Sequence, residues 1–149
     1  MIFASGSGTN AENIILYFKN NPIANVVAVF TNNPNAPIID KANNLKVPTF
    51  VFSREELKSE VFLQKLNDFK PDLIVLAGFL WQFPVSIIAS YNNKIINIHP
   101  ALLPNYGGKG MYGMNVHKAI FENKEKETGI TIHYVNENYD EGKIIFQKS

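Results

Sequence analysis

Cysteine is absent from this chain. Its absence excludes disulfides and thiolate chemistry and leaves the compartment undefined. Charge of one sign is lacking too. Fourteen lysines and arginines face thirteen aspartates and glutamates, for a net charge of +1. Lys41, Lys46, Lys58, Lys65, Lys94 and Lys118 are scattered rather than gathered, so nothing in the charge pattern asks for a nucleic acid. The longest apolar run, Leu73 to Trp81, falls far short of the ~20 residues a membrane helix needs. Met1-Ile2-Phe3 has no basic segment before it and soon meets glycine, which is unlike a signal peptide. A soluble cytoplasmic protein is the expectation. Repeats, linkers and low-complexity segments are also missing, and 149 residues with 46% hydrophobic content suit one domain around one proper core.

What is present alternates strand and helix signals. Ile2-Phe3-Ala4 reads as a short strand ending in Ser5-Gly6-Ser7-Gly8, and Thr9 with Glu12 makes a capping-box pattern for a helix through Phe18. Val26 to Phe30 reads as a buried strand, Ile38 to Leu45 as a short helix, and Pro48 to Val51 as another strand. Ser53 with Glu56 is a second capping box, whose single helix should bury Leu57, Val61, Leu63, Leu66 and Phe69 until Pro71 stops it. Asp72 to Ala77 is the most hydrophobic strand, and Pro84 opens a helix to Tyr91. A strand over Lys94 to His99, a helix over Met114 to Asn123 and a closing hairpin of Thr128 to Val135 with Ile144 to Gln147 complete the chain. Alternating units with near-continuous apolar strands predict a doubly wound, mostly parallel α/β sheet in three layers.

Two places carry chemistry. In Ile95-Ile96-Asn97-Ile98-His99-Pro100, residues two apart on a strand share a face at roughly 7 Å. Asn97 and His99 therefore point into one space, and Pro100 ends the strand beside them. An amide and an imidazole so placed can hold an oxyanion and move a proton. The second place is Ser5-Gly6-Ser7-Gly8-Thr9-Asn10, where a glycine loop meets a helix N-terminus and offers backbone amides to an anion. The loop lacks the Gly-Lys-Ser/Thr of an ATP-binding P-loop. It matches the loose dinucleotide pattern at Gly6, Gly8 and Ala11, but Thr31, Asn32 and Asn33 supply no carboxylate for a ribose. A phosphomonoester is the better guest.

Four motifs in register, Ser5 to Asn10, Leu76-Ala77-Gly78-Phe79, Asn97 to Pro104, and Gly129-Ile130-Thr131-Ile132-His133-Tyr134-Val135 with Asp140, closely resemble the phosphoribosylglycinamide formyltransferase family across nearly the whole chain. The resemblance implies a Rossmann-like formyltransferase fold. It implies transfer of a formyl group from 10-formyltetrahydrofolate to the amine of glycinamide ribonucleotide, a step of purine (IMP) biosynthesis and one-carbon metabolism, by direct amine attack through a tetrahedral intermediate. It further implies that Asn97 and His99 stabilise that intermediate, that Asp140 pairs with His99 and orders a proton-relaying water, and that Gly8, Thr9 and Asn10 hold the substrate phosphate. A carboxylate beside a histidine favours imidazolium. The implied folate contacts are Leu80, Trp81, Gln82 and Phe83, by position and through backbone groups, with Asn97 and with Arg54 at the folate tail. No metal is called for. The implied partners are the two small molecules, with neither nucleic acid nor membrane, and a homodimer is compatible with this reading.

Plainer readings stand beside these. A histidine at a strand end packs as readily as it catalyses, and only Asn97 nearby favours His99 for a site. His133, between Ile132 and Tyr134, reads equally as a structural residue and as one supporting His99 from behind. His117, near Ile120 and Phe121, is expected to pack. Asp140 before Glu141-Gly142 would ordinarily be a turn residue. Gly107 to Gly113 is longer than the family's usual loop, and the family continues into a further strand and helix, so the chain is expected to lack a few N-terminal residues and those C-terminal elements. Rival functions are another 10-formyltetrahydrofolate-dependent enzyme, such as a methionyl-tRNA formyltransferase or a formyltetrahydrofolate hydrolase, or a non-catalytic phosphate-binding module.

Overall fold

A computed structural model describes residues 1–149. The first half of the chain runs β1 (Ile2–Phe3), α1 (Thr9–Lys19), β2 (Val29–Thr31), α2 (Ile38–Asn44), β3 (Thr49–Val51), α3 (Arg54–Leu57) and α4 (Glu60–Asp68). The second half adds β4 (Ile74–Leu76), α5 (Val85–Ser90), β5 (Ile95–His99), α6 (Met114–Glu122), β6 (Ile130–Tyr134) and β7 (Ile144–Lys148). The seven strands form one sheet in the order β3-β2-β1-β4-β5-β6-β7. The first five are parallel, and β6 and β7 close it antiparallel. This is the expected mostly parallel α/β sheet with its terminal hairpin.

Side chains two apart on a strand share a face, and the inner strands obey that rule on both sides. Ile2 and Ala4 pack with Ala11 and Ile15 of α1 and with Ile38 and Ala42 of α2. Phe3, between them, faces Leu57, Phe62, Leu66 and Ile87 from α3, α4 and α5. The sheet thus lies between two helix layers, and burial on both faces explains why its central strands read as continuous apolar runs. The Phe3 ring stacks on Phe30 at 5.1 Å and meets Phe83 edge-on at 4.8 Å. Such pairs add about 0.5–1.5 kcal/mol each beyond area burial.

Two local expectations are corrected. Thr9 and Glu12 make no capping box, because the N-cap of α1 is Gly8, left-handed at φ 68°, and no side chain caps the helix. Glu12 instead pairs with Lys41 at 3.2 Å. The capping box of Ser53 and Glu56 forms as read, but its helix ends after one turn. Ser59 Oγ donates to the Glu56 carbonyl at 2.7 Å and accepts from the Phe62 amide at 3.1 Å, so a second helix starts with a shifted phase. Phe62 and Leu66 turn inward, while Val61 is 80% exposed.

Strand order reverses between β1 and β4, which run in opposite sequence directions outward from that point. In doubly wound sheets the crevice beyond the strand C-termini at such a reversal is where ligands bind.

Candidate active site

A cavity of about 850 Å³ opens there, within the ~300–1,000 Å³ typical of small-molecule sites. Its walls come from the loop after β1, the segment after β4, the end of β5, the Gly108 to Gly113 loop and the β6–β7 hairpin.

One corner is formed by the N-terminus of α1. Gly8 accepts the Glu12 amide at 2.8 Å, and the preceding amides of Thr9 and Asn10 take no acceptor from the chain, as the first turn of a helix leaves them. The helix dipole adds to their attraction for negative charge. Only glycine suits position 8: φ is positive, and a Cβ would lie 2.5 Å from the Ile38 side chain. Thr9 and Asn10 are exposed and line the cavity with Gly8.

The opposite corner brings together Asn97, His99, His133 and Asp140. Asn97 and His99 project from the same face of β5, and both reach Asp140. The Asp140 Oδ1 atom lies 3.5 Å from Asn97 Nδ2, 3.5 Å from His99 Nδ1 and 3.5 Å from His133 Nε2. Its Oδ2 accepts the Gly108 amide at 3.0 Å. His99 Nε2 donates to the Tyr106 carbonyl at 2.7 Å, which turns Nδ1 toward the carboxylate. The two histidine side chains are 3% exposed and that of Asp140 is 11% exposed. Burial by itself would push the Asp140 carboxyl up. The contact with His133, the Gly108 amide and the positive charge that His99 and His133 carry when protonated outweigh it and hold the group below the usual carboxylate range.

Between the corners runs the segment expected to meet folate. Ser5 fixes it to the anion loop, donating its amide to the Gly78 carbonyl at 3.1 Å and accepting the Leu80 amide on Oγ at 3.0 Å. Leu80 and Trp81 present apolar surface to the cavity. Gln82 Nε2 donates to the Glu137 carbonyl, so that side chain bridges to the hairpin. Phe83 is 4% exposed and belongs to the aromatic core. Arg54 is not part of the cavity wall. Its guanidinium stacks over Trp81, 4.5 Å from the ring centre.

A family model described as formyl transferase matches residues 1–149. The chain is 33% identical over 154 residues to phosphoribosylglycinamide formyltransferase of Bacillus subtilis, a match covering 99% of this chain and 76% of that one. It is 36% identical to a chloroplastic phosphoribosylglycinamide formyltransferase of Vigna unguiculata, covering 99% of this chain and 49% of that one. The crystal structure of glycinamide ribonucleotide transformylase 1 from Geobacillus kaustophilus superposes with a TM-score of 0.87 at 35% identity, over 99% of this chain and 79% of that one. The chain belongs to the formyl transferase family.

This family member therefore spans about half the length of its plant relative and about three quarters of the Bacillus one. It shares the mostly parallel α/β fold of the Geobacillus structure. No helix is long and apolar enough to cross a membrane. Three features of its cavity lay outside the sequence reading. The Tyr106 carbonyl, the Gly108 amide and the Ser5 hydroxyl all organise the site, and backbone atoms of a loop carry no residue-type signal. His117, expected to pack, is instead exposed on α6 and lines the cavity. No group of three or more histidines, cysteines, aspartates or glutamates is arranged to hold a metal ion.

Proposed function

We propose that the protein transfers a formyl group from 10-formyltetrahydrofolate to the amine of glycinamide ribonucleotide. The observation that carries this reading is the pairing of an anion loop at one end of a single cavity with Asn97, His99 and Asp140 at the other. A phosphate on the Gly8, Thr9 and Asn10 amides would anchor the ribonucleotide and leave its amine free to reach the reactive corner. The apolar surfaces of Leu80 and Trp81, with backbone groups through Phe83, suit a flat pterin on the facing wall, and the stacked Arg54 stands near enough to that wall to meet an acidic tail at its rim.

In the reaction, a C–N bond forms between the substrate amine and the formyl carbon while the formyl bond to the donor nitrogen breaks. Negative charge develops on the formyl oxygen. Donors already aimed at that charge are commonly the largest catalytic contribution, on the order of 10²–10³ in turnover for one such donor. Asn97 Nδ2–H and His99 Nδ1–H are the donors here, converging within 3.5 Å of Asp140 Oδ1. The proton lost by the attacking amine and the one gained by the leaving nitrogen pass through His99, with Asp140 balancing the imidazolium and seating a relay water. No covalent enzyme intermediate and no metal enters the scheme.

An acceptor panel tests the reading. With 10-formyltetrahydrofolate as donor, formyl transfer to glycinamide ribonucleotide should dominate over release of formate to water and over formylation of methionyl-tRNA. Formate release that does not depend on an amine acceptor would make the protein a hydrolase.

A further inference from the structure

We infer that His133 is a positioning residue for Asn97: the Tyr134 carbonyl fixes one tautomer of the His133 ring, and the lone pair so exposed turns the Asn97 carboxamide with its NH₂ group toward the reactive corner. The inference rests on the proposed formyl transfer and deepens it.

In the antiparallel pairing of β5 with β6, Asn97 lies directly opposite His133, and side chains so paired stand on the same face within contact distance. His133 Nδ1 is 2.9 Å from the Tyr134 carbonyl oxygen. A carbonyl only accepts, so Nδ1 carries the hydrogen. In the neutral ring, the form assigned here to His133, this is the single N–H, and Nε2, which also lies 3.5 Å from Asp140 Oδ1, is left as a bare acceptor. That lone pair lies 3.1 Å from Asn97 Nδ2. It can accept only from NH₂, and the Asp140 carboxylate at 3.5 Å makes the same demand on the same nitrogen. Two acceptors thus select one of the two carboxamide orientations. One Asn97 hydrogen is held by His133, and the other is left on the side of Asp140 and His99, under a contact long enough to be exchanged for a developing oxyanion.

The surrounding chain is shaped around this bond. The β6–β7 ladder shifts register between Ile132 and His133, a bulge of the kind that re-aims a side chain. Gly142 lies against the Tyr134 carbonyl so closely that any Cβ there would overlap it, with His133 Nδ1 3.4 Å away. His99 follows the same rule with the opposite result, since its Nε2 faces the Tyr106 carbonyl at 2.7 Å. In each of the two buried histidines a backbone carbonyl thereby keeps one nitrogen in its N–H form, Nδ1 in His133 and Nε2 in His99, and leaves the other nitrogen toward Asp140.

The test is spectroscopic first. The chain has three histidines, and the ring nitrogens of the ¹⁵N-labelled, unliganded protein distinguish protonated from bare positions by their shifts. His133 is expected to be protonated at Nδ1 and bare at Nε2, with one Asn97 side-chain hydrogen displaced from its usual shift and restored in His133→Ala. A His133 ring protonated at Nε2, alone or together with Nδ1, or an Asn97 amide indifferent to His133→Ala, would overturn the inference whether or not the protein transfers formyl groups. Kinetics provides the second arm. His133→Ala should lower kcat on the order of 10–100-fold, the range for residues acting through a functional neighbour, with KM for both substrates nearly unchanged. His133→Gln, whose side-chain carbonyl can accept from Asn97, should recover part of the loss. In an Asn97→Ala background the same His133→Ala change should cost little. Equal losses in both backgrounds would mean that His133 acts independently of Asn97. A wild-type protein with the expected tautomer and no formyl transfer would count against the proposed function alone.

Discussion

At the scale of single residues, Asp140 is where the site's charges meet. It occupies the left-handed region at φ 54°, which aspartate tolerates, and so it is both the turn residue its sequence context suggests and the acceptor for Asn97 and His99. Its carboxyl is held below the ordinary 3.8, so the native state holds that proton less tightly than the unfolded chain does. The resulting stability is complete above the ordinary value and is lost as pH falls through the depressed native one. The groups facing the carboxylate are His99, His133, Asn97 and the Gly108 amide. The stability difference between wild type and Asp140→Asn should therefore be largest near neutrality and shrink below about pH 4, as measured by denaturant unfolding across pH. A difference independent of pH would mean that the carboxylate charge is unimportant to the fold. Gly8 makes a separate prediction. Gly8→Ala places a Cβ against Ile38 in a backbone conformation alanine resists, so it should raise KM for the phosphorylated substrate well above any change in KM for the formyl donor. A selective rise in the donor's KM would misplace the phosphate. Asp140 reads as a turn residue until the family resemblance is weighed, whereas Asn97 and His99 were legible as a pair because their spacing on a strand sets them on one face. The tautomers of His99 and His133 were not, since each is set by a carbonyl of residue 106 or 134 whose nearness depends on loop folding.

At the scale of elements, capping decided where the sequence was readable and where it misled. Ser53-Arg54-Glu55-Glu56 closes its capping box reciprocally, with Ser53 N to Glu56 Oε2 at 2.6 Å and Glu56 N to Ser53 Oγ at 3.2 Å. Thr9 and Glu12 carry the same pattern, but Gly8 adopts the left-handed conformation one residue earlier and takes the cap position. That substitution of glycine for a capping side chain is what leaves the α1 amides open to the cavity. Ser59 carries no capping-box signature, because Phe62, three residues on, cannot return the bond that glutamate would. The break has a measurable consequence. Ser59→Ala removes the only side-chain cap of α4 and should destabilise the protein by about 1 kcal/mol, while Val61→Lys should change stability by no more than about 0.5 kcal/mol because that side chain faces water. Thermal unfolding of the two variants separates the two-helix arrangement from a continuous helix, in which Val61→Lys would be the more damaging change.

At the scale of the whole molecule, the sheet order explains why one cavity reaches both chemical motifs. β1 and β4 are sequence-distant neighbours that diverge in strand order, so the loop after β1, the segment after β4 and the end of β5 all open on one crevice. The apolar runs and their alternation with helices made this fold legible, because strands buried on both faces can be little else. The depth of the site was less legible: the hairpin of β6 and β7 brings His133 and Asp140 back over the end of β5 through a pairing register that only the folded sheet fixes. The account's central claim is that this corner, with a substrate phosphate anchored across the cavity, performs formyl transfer. Its most direct measurement follows a ¹³C-labelled formyl group from 10-formyltetrahydrofolate to glycinamide ribonucleotide in wild type, His99→Ala and Asp140→Asn. The account predicts transfer in wild type, with kcat lowered at least on the order of 10²-fold in each variant and KM values within a few-fold of wild type; unchanged kcat in both variants would contradict it.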